Sequence, residues 1–178
     1  MGDILFGITE WLRGTFLLDF AFWLSETSLS LLMVENFWFV PTAQVIHIIS
    51  IAAAFGASLM LTLRVNNLAG AGQSLERTRQ RFAPWIWWGL VGIACSGVLM
   101  ATAEPIRNMV NSIFWIKMIL LLVTIAISLV FQRRIKASAA GAGAEWQAGS
   151  GLRTTSILLV ILWCLIMACG RWIAYVPV

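Results

Sequence analysis

Four runs of mostly apolar residues divide the chain, at about 38–63, 84–103, 114–131 and 152–176. Each approaches the roughly 20 residues a helix needs to cross a bilayer, where no backbone polar group can go unpaired. The pattern therefore predicts an all-α fold, a transmembrane four-helix bundle occupying residues 36–178. Pro41 suits the first turn of its helix, where a missing N–H costs nothing. Pro84 opens the second run, Glu104-Pro105 closes it, and Pro177 stops the fourth.

Residues 1–35 are apolar but interrupted by charge. Asp3, Glu10 and Arg13 fall near one helical face, and Asp19, Glu26 and Ser30 near another after Gly14. Two consecutive amphipathic helices lying in the membrane interface fit this spacing. The competing arrangement is a fifth span over 16–34, which would place Asp19 and Glu26 in lipid at about 3 kcal/mol each on insertion scales.

Charge then orients the bundle. The connections between spans one and two and between spans three and four carry Arg64, Arg77, Arg79, Arg81, Arg133, Arg134, Lys136 and Arg153 against only Glu76 and Glu145. The other side has Arg13, Arg107, Lys117 and Arg171 against six acids. The positive-inside rule places the Arg-rich loops in the cytoplasm and both termini in the periplasm. Trp85, Trp87 and Trp88 would mark the inner interface, and Trp38, Trp115 and Trp172 the outer one. The stretch 137–151, rich in Ala, Gly and Ser, reads as a flexible linker. A net charge of +4 spread over short loops is a topology signal and gives no nucleic-acid face. The N-terminus has no basic region of a cleaved signal peptide.

Small and polar residues at helical spacing predict the inward faces, because helix association in lipid depends on close packing. Span one offers Ala43, His47, Ser50, Ala54 and Ser58; span two Gly89, Gly92, Ser96, Met100 and Ala103; span three Lys117, Leu121, Thr124 and Ser128; span four Cys164, Ala168, Arg171 and Tyr175. Such stripes serve contacts within one chain or between copies equally, so a homo-oligomer is one candidate assembly. A membrane or periplasmic protein docking on residues 1–35 is another.

In this orientation His47, Lys117 and Arg171 all fall in the outer half; His47 is six residues past Pro41, roughly 9 Å along its helix. Ionisable groups at such depth are costly and mark candidate sites. His47 is the single histidine, so a haem b held within one chain would take His47 with Met100 or Met167, or leave its sixth position open. Lys117, Arg171 and Tyr175 would then meet its polar edge. A quinone or other apolar carbonyl ligand is the second candidate, and a metal at His47 the third. Cys95, Cys164 and Cys169 form no ligand motif and read as small buried hydrophobes. No phosphate loop, nucleophile elbow or HExxH is present, so no enzyme activity is assigned to the chain alone.

Several local sequences also resemble a known family. They are Ala43 to His47 followed by Gly56 and Leu63-Arg64, Pro84-Trp85, Ser96-Gly97, Phe114-Trp115-Ile116-Lys117-Met118, and the ending Gly170-Arg171-Trp172-Ile173-Ala174-Tyr175. Over nearly the whole chain they look like an uncharacterised family of small bacterial membrane proteins, itself distantly similar to CopD-like copper-resistance membrane domains. The resemblance implies a four-helix bundle in a bacterial inner membrane and, through the CopD likeness, metal handling. No activity comes with it.

Overall fold

The computed structural model describes residues 2–70, 72–139 and 147–175. Their regular structure is all helical, with no strand among the described residues, in the order α1 (Gly2–Arg13), α2 (Phe16–Ser25), α3 (Ser28–Glu35), α4 (Phe39–Val65), α5 (Leu75–Ala103), α6 (Pro105–Met109), α7 (Ser112–Ala139) and α8 (Ser150–Trp172). A 3-10 turn, Ile173–Tyr175, follows α8. The helices α4, α5, α7 and α8 are long and apolar enough to cross a membrane.

The N-terminal region forms three helices where the charge spacing predicts two. Thr15 and Thr27 cause the breaks: the Thr15 hydroxyl accepts from the Leu17 N–H at 3.4 Å and that of Thr27 from the Ser30 N–H at 3.4 Å, capping α2 and α3. Together α2 and α3 have the apolar length of one span, but they are bent by 64° at the break. Asp19 and Glu26 are both exposed.

The spanning helices outrun their apolar cores. α5 begins at Leu75, not Pro84, because the polar stretch before the proline is itself helix-forming and is braced by Glu76, which pairs with Arg79 at 2.6 Å. Pro84 thus lies inside the helix. α7 likewise runs on from Phe131 to Ala139, and α8 starts at Ser150, so both ends of the expected 137–151 linker are helical. Residues 140–146 of that linker and the Pro177 stop lie outside the described residues.

The chain divides into two compact units, one of Met1–Ile48, Gly92–Ile119 and Ile166–Val178, the other of Ile49–Val91 and Leu120–Leu165. In the second unit all four long helices share a core that includes Leu61 and Val65 of α4, Ile86 of α5, Phe131 and Ile135 of α7, and Leu159 of α8. Polar ties reinforce it: the Thr62 hydroxyl donates to the Ser156 carbonyl at 3.1 Å, and the Asn66 amide to the Ser156 hydroxyl at 3.0 Å. In the first unit α2 packs on α1, α3 and α6. The Thr9 hydroxyl reaches that of Ser112 at 3.4 Å, and the Ser30 hydroxyl donates to the Thr102 carbonyl at 2.8 Å. Outward positions such as Val45, Ile48, Val98, Ile119, Leu122 and Ile161 are exposed, as faces in contact with lipid acyl chains must be.

The end of α4 is closed by its own arginine. Asn67 adopts the left-handed region (φ 57°), and the N–H groups of Asn67 and Leu68 bond the carbonyls of Arg64 and Leu63 at 3.1 and 2.9 Å, a Schellman cap. Arg64, 1% exposed, donates from Nε to the Gln73 carbonyl at 2.9 Å and from Nη1 to the Asn67 side chain at 2.8 Å, while Nη2 has no partner among the described residues. Both acceptors belong to exposed residues that water can satisfy instead. Arg64→Met, which keeps the packed stem, is therefore expected to leave unfolding free energy within about 1 kcal/mol of wild type. Arg64→Ala should lose about 2–4 kcal/mol through the void it opens. Unfolding in detergent, followed by tryptophan fluorescence, separates the two; equal losses would show that the charge matters rather than the stem.

Candidate functional site

The inward faces predicted for three of the four spans are found. On α4, Ala43 and Ala54 are buried with Ser58, and His47 and Ser50 are half-buried. On α5, Gly89, Ser96 and Ala103 are buried, and on α7 Thr124 and Ser128. On α8 the expected stripe is displaced. Cys164, Arg171 and Tyr175 are exposed, and the buried line is Leu152, Ser156, Leu159, Trp163 and Ile166. A large indole, rather than a small residue, fills the interior there.

The first unit holds the candidate site. His47 of α4 faces Ser96 of α5, which is 2% exposed, with Nδ1 2.8 Å from the Ser96 hydroxyl. That hydroxyl also lies against the Gly92 carbonyl one turn earlier. Because the carbonyl can only accept, a Ser96 proton given to Gly92 leaves Nδ1 as the donor of the His47–Ser96 bond. In the neutral ring Nε2 then carries the lone pair. Gly97 makes room for the ring: a Cβ there would stand 3.6 Å from His47 Cε1.

Lys117 of α7 is half-buried, its ammonium 6.0 Å from the centre of the Phe114 ring. It lies within electrostatic reach of both His47 and Cys169. The arrangement thus offers one nitrogen acceptor held in a fixed ring, one cation and one thiol. Cys169, half-buried, is a member of this group that its sequence context does not reveal. Ser96 was legible as an interior residue but not as the partner that orients His47, since a shared contact between two helices leaves no mark on either.

The remaining candidates divide. Met100 and Met167 are half-buried on α5 and α8. Arg171 and Tyr175 are exposed and satisfy each other, with Nη2 of Arg171 2.7 Å from the tyrosine hydroxyl and its guanidinium 5.1 Å from the ring centre. Glu104 is exposed and pairs with Arg107 at 3.1 Å. Among the described residues no group of three His, Cys, Asp or Glu side chains is placed to hold a metal ion.

The donor set can be tested against each candidate ligand. A bare transition-metal ion wants three or four protein ligands, and among the described residues His47 has no such company of Cys, Asp or Glu. Haem brings four nitrogens of its own and needs a single axial imidazole, whose other nitrogen is normally anchored by a hydrogen bond. The His47–Ser96 pair fits that requirement.

No curated protein and no solved structure matches the sequence. Over residues 22–176, which take in all four long helices, the chain belongs to DUF6644, a family of unknown function.

Proposed function

We propose that this chain is a subunit of a bacterial inner membrane that binds a redox cofactor at His47, haem b being the leading case. The observation that carries the reading is the 2.8 Å contact between His47 Nδ1 and the Ser96 hydroxyl, which, with Nδ1 as the donor, would leave Nε2 available as an axial ligand. Ser96 would orient the ring, Lys117 would meet an anionic edge of the cofactor, and Met100 or Met167 would be the candidate sixth ligand. Haem would supply one-electron transfer, and the chain by itself is assigned no reaction. The excess of arginine in the loops around Arg64–Arg81 and Arg133–Arg153 supports cytoplasmic loops and periplasmic termini.

A quinone is the second reading, and the observation that favours it is the pairing of an acceptor with a cation. Nε2 would accept from a hydroquinone O–H, and Lys117 would donate to a carbonyl. The non-redox alternative is an accessory subunit that docks a membrane or periplasmic partner through residues 1–35.

The visible spectrum of protein purified under conditions that retain cofactors tests the leading case. A Soret band is expected in the wild type and should vanish or shift in His47→Ala. Ser96→Ala should keep the band but weaken cofactor retention by about 10–100-fold, the usual effect of losing a hydrogen bond that orients a histidine ligand. A wild type with no Soret band would end the haem proposal. A quinone extracted from it in stoichiometric amount would then select the second reading. Release of a co-purifying protein by deletion of the residues before Glu35 would select the third. Reporter fusions after Val178 check the topology, and a cytoplasmic C-terminus would reverse it.

A further inference from the structure

In the second unit, the first turns of α5 form a groove of about 500 Å3 lined by Arg79, Gln80, Ala83, Pro84, Trp87 and Trp88. It lies where the charged residues Glu76–Arg81 give way to the apolar body of the helix, so one end is polar and the other indole. Three features give it a chemistry.

Pro84 has no N–H, so the Gln80 carbonyl, four residues earlier, lacks its α-helical donor and is left as an acceptor at the groove. The Gln80 side chain gives one of its two N–H groups to Glu76 at 2.8 Å, and its amide oxygen is a second acceptor. Arg79 binds Glu76 through Nε at 2.9 Å and Nη2 at 2.6 Å, and its Nη1 keeps two N–H donors.

A zwitterion with an N–H-bearing ammonium beside a phosphate matches this set. Arg79 Nη1 suits the phosphate, the two Gln80 oxygens suit the N–H-bearing ammonium, and the indoles of Trp87 and Trp88 offer a wall for the start of an acyl chain. Tryptophan and arginine at the end of a spanning segment are also the residues expected at headgroup depth. We infer that this groove is a binding site for a phospholipid with a phosphoethanolamine headgroup.

The inference is independent of any cofactor at His47 and is tested by lipid retention. The protein is purified from nanodiscs containing equal parts of phosphatidylethanolamine, phosphatidylcholine and phosphatidylglycerol, and bound lipid is read by native mass spectrometry. Phosphatidylethanolamine should be retained at least about fivefold over phosphatidylcholine, whose trimethylated nitrogen cannot donate to Gln80. Pro84→Ala restores an N–H to the Gln80 carbonyl without threatening the helix, and it should reduce that preference. Trp88→Ala should lower retention of phosphatidylethanolamine, while Trp85→Ala, on the same helix but not lining the groove, should not. Equal retention of the three lipids overturns the assignment, as does a Pro84→Ala variant with undiminished preference or a Trp85→Ala loss matching that of Trp88→Ala. Helicity of every variant is checked by circular dichroism, so a folding defect is not mistaken for lost binding.

Discussion

Gly89→Ala is expected to destabilise the protein by about 1–3 kcal/mol, while the same substitution at Gly56 stabilises it by up to about 1 kcal/mol. Both glycines lie within long helices, where alanine is the better helix former, so propensity alone would favour both changes. The difference lies in what a methyl group meets. At Gly56 nothing stands within 4 Å. At Gly89 the Cβ would lie 2.8 Å from the Ser50 carbonyl oxygen and the Ala54 Cβ, and 2.9 Å from the Ala54 nitrogen. Two of those three atoms are backbone, which cannot swing away as a side chain can, so α4 and α5 must separate. That separation costs dispersion contacts, the principal attraction between helices in lipid. Thermal or denaturant unfolding in detergent gives the signs directly. A stabilised Gly89→Ala would mean that the two helices do not approach this closely.

The close approach at Gly89 was legible in the sequence as a small residue in a helical stripe, and so were the existence and order of the four spans. What failed were quantities that hydropathy does not encode. Hydropathy marks the immersed part of a helix, whereas the helix itself continues wherever backbone bonds and side-chain pairs allow. Hence α5 runs nine residues upstream of Pro84, to Leu75. A proline there removes one backbone donor, so only the Gln80 carbonyl loses its helical partner. The two N-terminal helices became three because capping by Thr15 and Thr27 decides where a helix starts, and charge periodicity reads through such caps.

The face of α8 was misjudged for a related reason. Small residues do mark inward faces where backbones must approach, as at Gly89, but a wider gap is filled by a large side chain. Trp163, 1% exposed, fills one, and the stripe through Cys164 and Arg171 consequently turns outward. This moves Arg171 and Tyr175 out of the group expected around His47 and leaves Lys117 as the cation acting on that residue. Of the proposed site, His47 and Lys117 were thus readable as costly intramembrane residues. Their relation through Ser96 and Cys169 required the fold.

The second large effect is expected at Asn111, which is fully buried ahead of α7. Its side-chain oxygen accepts from the N–H groups of Ile113 at 3.0 Å and Phe114 at 3.4 Å, capping the helix. Its amide donates to the Ile173 carbonyl at 3.2 Å, tying the first turn of α7 to the 3-10 turn after α8. Asn111→Leu fills similar volume but strips the side-chain partner from the Ile113 N–H and the Ile173 carbonyl at once, while the Phe114 N–H keeps the backbone carbonyl of residue 111 at 3.2 Å. The lost cap is worth about 0.5–2 kcal/mol and the orphaned carbonyl about 1–3 kcal/mol, so a loss of about 2–4 kcal/mol is expected. Asn111→Ser can still cap α7 but cannot reach Ile173, and it should lose roughly half as much. Because Lys117 lies just under one turn beyond Phe114 of the capped turn, the leucine variant should also disturb the His47 group more than the serine variant does. Amide hydrogen exchange at Ile173–Tyr175 is the discriminating measurement. It should accelerate in both variants, since both lose the tie to Ile173, whereas exchange at Ile113 should accelerate only in the leucine variant. Unchanged exchange at Ile173–Tyr175 in both would mean that the tie does not hold that turn in place.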